Sequence, residues 1–575
     1  MKRLEIDNIE VEVEPGTTLL EAARKINVNI PTLCYEEELS IFGGCRLCVV
    51  EVNGGELLKP ACATEADDGM IVKTHSPRVR EVRQTLFELI IASHDISCEL
   101  NCLTCTRQSS CELRVVAEDI GISRMRLNPI YRGLEKDFSS HSIVREPNKC
   151  ITCDRCIRKC EEIQGIGIFA NSARGPETEV TTFQDKGMGN VECTNCGQCI
   201  ISCPTGALHE VYHSEGVWDA LYDENKHVVV QTAPAVRVAI AEPFGAEPGT
   251  VATGQLVSAL KRLGFDGVFD TNFTADLTIM EEGTEVVKRV TENDNLPVLT
   301  SCSPGWIKFI EHFYPDYLKN LSTAKSPQQM FGALAKTYYA EQAGVDPEDI
   351  VVVSIMPCTA KKFESRRPEM NGDVDFVLTT REAGMMIKSA GINICDLPEE
   401  NYDNLMGVSS GAGDIFAASG GVMEAALRSA YYLITGEELE DIDIKPVRGL
   451  TGLKKAEVPI NEDLTLKVGV AHGLSNARKM MELIKEGEEF HFVEFMACPG
   501  GCIGGGGQPI RADMTSEEAL QKRLEGVYSI DSSKKMRRSH ENPMIQKLYD
   551  EFLGKPGSHK AHKLLHTEYT ARGLN

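Results

Sequence analysis

The 21 cysteines of this chain are gathered, not spread: 16 fall before residue 204, in tight groups, and five lie in the second half. A disulfide scaffold is usually a short secreted chain with an even number of cysteines. An odd count in 575 residues fits that poorly. Thiolates that ligate metal in a reducing compartment fit better. The length also exceeds what one hydrophobic core supports, which predicts two to four domains.

A net charge of −25 leaves no basic surplus to neutralise phosphates, so no nucleic-acid partner is expected. No apolar run approaches the ~18 residues of a membrane span. The opening MKRLEIDNIEVEVEPG alternates apolar and charged residues where a signal peptide carries an apolar core. Together these predict a cytoplasmic protein without a membrane partner.

Residues 1–78 open with alternating segments, Leu4–Ile6 and Ile9–Val13. A Pro15-Gly16 turn and a helix with a capping box from Thr18 to Glu21 follow, a pattern suited to a β-grasp module. Residues 79–125 turn helical, as in VREVRQTLFELIIASH, and end in a second cysteine group. Residues 140–209 contain two similar cysteine runs, an internal duplication. From 210 to 575 apolar strands alternate with helices. The strands expected are Val228–Gln231, Val298–Ser301, Ile350–Ile355, Phe376–Leu378, Leu466–Ala471 and Phe492–Phe495. The fold class expected is thus multidomain α+β and α/β: a β-grasp domain, a small cluster domain, a ferredoxin-like domain and a large α/β domain with a largely parallel sheet. The piece from Asn542, with His559, His562 and His566, reads as a surface helix.

Cys34, Cys45, Cys48 and Cys62 are spaced C-x10-C-x2-C-x13-C and in a β-grasp setting read as ligands of a 2Fe–2S cluster. Cys102, Cys105 and Cys111 supply three thiolates of a 4Fe–4S site whose fourth ligand is His94 or Cys98. The runs Cys150, Cys153, Cys156, Cys160 and Cys193, Cys196, Cys199, Cys203 each read C-x2-C-x2-C-x3-C, and Pro204 follows the second. This is the two-cluster ferredoxin pattern, in which the fourth cysteine of each run completes the other's cluster. Cys203 then joins Cys150, Cys153 and Cys156, while Cys160 joins Cys193, Cys196 and Cys199.

Four of the five remaining cysteines, Cys302, Cys358, Cys498 and Cys502, sit just past expected strands, where open α/β sheets form their ligand crevice. The glycines at 504–507 lack the Lys-Ser/Thr of a phosphate loop and read as room for a bulky group held by Cys498 and Cys502. GAGDIF at 411–416 lacks the third glycine of a dinucleotide fingerprint, so flavin and nicotinamide sites are expected on a partner. Cys395 reads as a buried small apolar residue.

TSCSPGW (300–306), MPCTAKKFE (356–364) and EFMACPGGCIGGGGQP (494–509) resemble, in order, the three signatures of iron–iron hydrogenases: TSCCPxW, MPCxxKxxE and ExMxCxxGCxxGGGxP. The resemblance extends over essentially the whole chain. It implies reversible H2 oxidation at an H-cluster, a 4Fe–4S cubane joined to a two-iron unit carrying CO, cyanide and a dithiolate amine. It further implies that Cys358, Cys498 and Cys502 hold the cubane, that Lys361 bonds a cyanide, and that Met356, Met496, Ala233, Pro234 and Gln328 line the pocket. Cys302, Glu282, Ser322, Glu285 and Arg289 fall where the family has its proton path. The resemblance is closest to the hydrogenase subunit of NAD(P)-linked, electron-bifurcating enzymes, implying ferredoxin and flavin/NAD(P)-binding partner subunits. A hydrogen sensor or an electron-carrier subunit is the alternative. Two departures stand out. The second cluster's usual His-x3-Cys-x2-Cys-x5-Cys is interrupted, which favours His94 with Cys102, Cys105 and Cys111. Ser303 stands where the family has a cubane-ligating cysteine.

Overall fold

The computed structural model describes all residues except 95–101, 103–104, 108–109, 131, 512–513 and 575. Cys98 lies outside the described residues.

The first strands, β1 (Lys2–Ile6) and β2 (Ile9–Val13), form an antiparallel hairpin. Its turn residues Asp7 and Asn8 have φ of 48° and 68°, the left-handed pair that a two-residue hairpin turn requires. Leu4, Ile6, Val11 and Val13 alternate inward onto α1 (Leu19–Lys25). Thr18 Oγ1 accepts the Glu21 N–H at 3.2 Å, and the Glu21 carboxylate accepts the Thr18 N–H at 2.7 Å, the expected capping box. With β3 (Val49–Val52), β4 (Lys59–Pro60) and β5 (Ile71–Lys73), the sheet runs β2-β1-β5-β3-β4, and β1 and β5 are parallel.

Helices α2 (Pro77–Ala92) and α3 (Glu112–Asp119) cover the cysteine edge of this sheet. Phe87, Leu113 and Val116 pack with Leu33, Leu47 and Ile151, so one apolar cluster joins three cysteine-bearing segments. In the duplicated unit, each cysteine run feeds a short helix, α4 (Arg155–Arg158) or α5 (Gln198–Ser202). The duplication extends to the backbone: left-handed residues Thr152 and Asp154 in the first run recur as Asn195 and Gly197 in the second.

Beyond residue 226 the strands form two four-stranded sheets, where the sequence pattern suggested one. The first is wholly parallel: β7 (Gly267–Asp270), β6 (His227–Thr232), β9 (Ile350–Met356) and β10 (Phe376–Thr379), in that order. The second runs β8 (Val298–Leu299), β13 (Phe492–Met496), β12 (Thr465–His472) and β11 (Leu453–Pro459), the last antiparallel. The division arises because β8 is only two residues long and pairs with β13 instead of β6. A 22-residue helix, α6 (Thr271–Glu292), packs with residues of both apolar cores, through Phe273 and Leu277 on one side and Ala275, Ile279 and Val286 on the other.

Two expectations need correction. Cys395 is exposed, because the 3₁₀ turn Ile394–Asp396 gives its buried position to Ile394. The C-terminal helix α7 (His559–Leu565) leaves His559 and His562 exposed, but His566, just after it, turns inward and pairs with Glu281. Among the described residues, no helix is long and apolar enough to cross a membrane.

Candidate active site and cluster sites

The amino-terminal thiols converge as their spacing suggested. Cys48 and Cys62 sulfurs lie 3.3 Å apart, and Cys34 is within hydrogen-bonding reach of Cys45 and Cys62. Cys34, Cys48 and Cys62 are buried. Cys150, Cys153, Cys156 and Cys203 line a single cavity, the grouping expected from a fourth cysteine exchanged between runs. Cys160 lies with Cys193, Cys196 and Cys199; the thiols of Cys196 and Cys199 feel its charge. Burial pushes the Cys150 and Cys160 thiols up to about 11 and Cys196 to about 12, with neighbouring sulfurs adding to the shift. Four thiolates cannot share such a space without cations, and iron supplies the compensating charge.

The His94 group sits against this unit. His94 Nδ1 lies 2.9 Å from the Lys149 carbonyl, which can accept only from an Nδ1–H. Cys105 and Cys111 are half-buried and Cys102 exposed. Gly206 leaves space that a Cβ would fill to within 2.7 Å of the Cys105 sulfur.

Where the carboxyl ends of β6, β9 and β13 meet the loop after β8, a cavity opens. Cys302, Ser303, Cys358, Cys498 and Cys502 line it, with Lys361 and the apolar or amide groups of Ala233, Pro234, Met356, Met496 and Gln328. Trp306 fixes the loop from 300: its indole N–H donates to the Thr300 carbonyl at 3.0 Å, and its ring stacks 3.8 Å from Phe495 on β13. Cys302 and Ser303 then take different roles. Burial holds the Cys302 thiol well above its ordinary value, so it remains protonated. Ser303 Oγ accepts the Ala497 N–H at 3.2 Å, on the side of the cavity nearest Cys498.

Burial also pushes Cys502 up to about 12 and raises Cys358, in both cases against the Lys361 charge. One buried and two half-buried thiols beside an ammonium in apolar walls are a donor set suited to a thiolate-held iron cluster with anionic ligands. The glycines at 505 and 506 are needed for close backbone approach, though to protein segments: a Cβ would meet the Pro357 carbonyl at 2.1 Å and the Cys196 carbonyl at 2.3 Å. That contact seats the Cys196 run against the cavity, and Cys196 itself forms part of the wall.

Lys361 Nζ donates to the Cys302 carbonyl at 3.1 Å and to Glu364 at 2.9 Å. Glu364 also accepts from Gln328 at 3.1 Å and Ser326 at 3.0 Å, all buried. Sequence reasoning did not single out Glu364, although it closes the MPCTAKKFE motif. Glu282 lies one turn before Glu285 on α6, and burial, then the Glu285 charge, push its pKa up to about 8. Ser322 Oγ donates to Glu285 at 3.0 Å, and Arg289 reaches Glu285 at 2.5 Å near the surface. Of the five groups expected on the proton path, Cys302 lines the cavity and Ser322, Glu285 and Arg289 are joined by hydrogen bonds, while both Glu282 carboxyl oxygens are buried without a hydrogen-bond partner. Thr323, which adjoins Glu285, and His566, which adjoins Thr323 and Glu281, carried no local signal.

The segments that build these sites match known families. Residues 226–506 match the C-terminal domain of the iron only hydrogenase large subunit, and 517–572 the iron hydrogenase small subunit. Residues 2–77 match a 2Fe-2S iron-sulfur cluster binding domain, 83–126 an NADH-ubiquinone oxidoreductase-G iron-sulfur binding region, and 140–209 the ferredoxin-like domain of NADH-quinone oxidoreductase subunit 3. The NADP-reducing hydrogenase subunit HndD of Solidesulfovibrio fructosivorans is 49% identical, over 100% of this chain and 99% of its own length. Iron hydrogenase 1 of Clostridium pasteurianum is 41% identical, over 99% of this chain and 100% of its own. A solved apo [FeFe]-hydrogenase HydA1 variant from Chlamydomonas reinhardtii superposes with a TM-score of 0.56 at 46% identity, covering 63% of this chain and 100% of that one.

Proposed function

Because the chain belongs to the iron–iron hydrogenases, oxidoreductases that act on H2, we propose that it reversibly oxidises H2 and passes the electrons along its own clusters to ferredoxin or a flavin/NAD(P)-binding partner subunit. The cavity that combines Cys358, Cys498, Cys502 and Lys361 with a wall from the Cys196 run carries this reading. When bound, the H-cluster supplies the redox chemistry at which the H–H bond is made or broken.

The chain's own groups do the rest. Cys358, Cys498, Cys502 and the Ser303 oxygen would hold the cubane, and Lys361, oriented by Glu364, would offer a charge-assisted bond to a cyanide. The neutral Cys302 thiol and the Glu282 carboxyl each carry a proton at neutral pH, and Ser322, Glu285 and Arg289 continue the path to solvent. With clusters bound, the Cys196 contact would offer electrons a way between the cavity and the Cys193 run, and from there to the Cys150 run. Two routes converge there: Arg158 donates to the Cys34 carbonyl at 2.7 Å and the Cys153 carbonyl at 3.4 Å, and Cys105 adjoins the loop after Cys203.

In this reading the chain comprises a 2Fe–2S β-grasp domain (1–78), a His/Cys cluster domain (79–125), a two-cluster domain (140–209) and a catalytic domain (210–575), and works in the cytoplasm. The likeness to the NADP-reducing hydrogenase supports an NAD(P)-linked complex. Infrared spectroscopy of the matured protein, paired with dye-linked H2 turnover, tests the function. CO and cyanide bands with turnover are expected; matured protein lacking both would refute it.

A further inference from the structure

We propose that His566 holds a proton on a side arm of the Cys302–Glu282–Ser322–Glu285–Arg289 path, joined to Glu285 by the Thr323 hydroxyl. The inference rests on the relay reading above and adds to it a group supplied by the C-terminal tail.

Glu285 Oε2 faces three donors: Ser322 Oγ at 3.0 Å, the Thr323 N–H at 3.0 Å and Thr323 Oγ1 at 3.2 Å. The same Thr323 oxygen lies 2.8 Å from His566 Nδ1. On its far side, His566 Nε2 lies 3.1 Å from Glu281 Oε2. Glu281 is buried and held in place by the Tyr549 hydroxyl at 2.6 Å and the Gly557 N–H at 2.8 Å. Backbone pairing fixes the arm: Lys325 N–H donates to the Leu565 carbonyl at 2.7 Å, and Thr567 N–H to the Thr323 carbonyl at 2.8 Å.

Thr323 has one hydroxyl proton and two acceptors. With neutral His566, Nε2–H donates to Glu281, and Nδ1 accepts from Thr323. With imidazolium, both ring nitrogens donate, and the Thr323 proton turns to Glu285. A proton on Glu285 can therefore move to the Thr323 oxygen as the original hydroxyl proton passes to Nδ1. One O–H bond forms and one breaks at Thr323, an N–H forms at His566, Glu285 is left as carboxylate, and no electrons change hands. The charged groups facing the ring are Glu281 and Glu285 from α6, with Arg289 behind Glu285. Lys325, paired with Asp373, lies on the adjoining segment, and His562 stacks on the ring with centroids 4.8 Å apart. Glu281 thus flanks the ring directly and Glu285 through the Thr323 hydroxyl.

The test compares Thr323→Val, Thr323→Ser and His566→Gln in the matured chain, reading H2 turnover against pH together with iron content and the infrared bands. Thr323→Val and His566→Gln are expected to lose the same limb of the pH profile and on the order of tenfold in rate, with bands intact. Thr323→Ser, which keeps the hydroxyl, is expected to keep the limb. If His566→Gln loses iron, the Val/Ser pair decides: matching profiles overturn the arm. Wild-type profiles in Thr323→Val and His566→Gln alongside collapsed turnover in Glu285→Gln would overturn the arm and leave the relay standing. Full turnover in Glu285→Gln would overturn the relay itself.

Discussion

Glu282→Gln separates proton transfer from folding, because it keeps the side chain's shape and removes only its ability to ionise. In the folded chain burial, reinforced by Glu285, raises the Glu282 carboxyl to about 8, from an ordinary value of 4.5. The native state therefore keeps a proton that the unfolded chain releases, and stability falls as pH rises from the unfolded value through the folded one. At about 1.4 kcal/mol per pH unit, the cost approaches ~5 kcal/mol by pH 8, an upper bound that residual solvation reduces. Glutamine has no such term. Calorimetry of Glu282→Gln is thus expected to show a melting temperature whose difference from wild type shifts in the variant's favour between pH 5 and pH 8. Dye-linked H2 turnover is expected to fall by roughly 10²–10⁴-fold, the usual contribution of a positioned proton carrier. A pH-independent melting difference would refute the burial argument. Turnover within about threefold of wild type would refute the relay role, by the same yardstick.

Iron analysis of the fully matured chain is expected to give about 20 irons; a value near eight without a 2Fe–2S signal would remove most of the proposed clusters. Trp306→Ala deletes the stack on Phe495 and is expected to cost about 3–5 kcal/mol, with loss of cavity iron while the accessory-cluster signals persist in electron paramagnetic resonance. Ser303→Cys replaces a hard oxygen donor by a soft thiolate, so a redox titration is expected to show a raised cubane potential or firmer cluster retention. No change in either would count against ligation by Ser303. The chain without partners is expected to reduce a dye or ferredoxin but not to oxidise NAD(P)H, and rapid NAD(P)H oxidation by flavin-free protein would overturn the partner assignment.

What is legible in the sequence follows from how far apart the interacting groups lie along the chain. A cluster's ligands must reach one small body, so the gaps within Cys150–Cys160 and Cys193–Cys203 are set locally and can be read directly. Strands such as Ile350–Met356 announce themselves through an apolar run broken only by Ser354. Gly267–Asp270 and Leu453–Pro459 give no such signal, the first because GVFD is short and the second because its edge position tolerates alternating charge. Cys395 defeats a reading by residue type, because a thiol's apolar character says nothing about which way a 3₁₀ turn faces.

The acid–base groups show the opposite limit. By sequence Glu281, Glu282 and Glu285 are three carboxylates on one helix, and only the packing distinguishes them. Glu281 is tied to Tyr549 and His566, Glu282 is buried without a close partner, and Glu285 collects Ser322, Thr323 and Arg289. Apart from Arg289, one turn on along α6, each partner comes from a segment distant in sequence. Two of them, Tyr549 and His566, belong to a tail that reads locally as a polar surface helix. The tail has to close over α6 before Glu281 acquires its partners. The contacts of these carboxylates are therefore a property of the closed tertiary structure, whereas the spacing within the amino-terminal cysteine runs is local, and only the latter can be read without the fold.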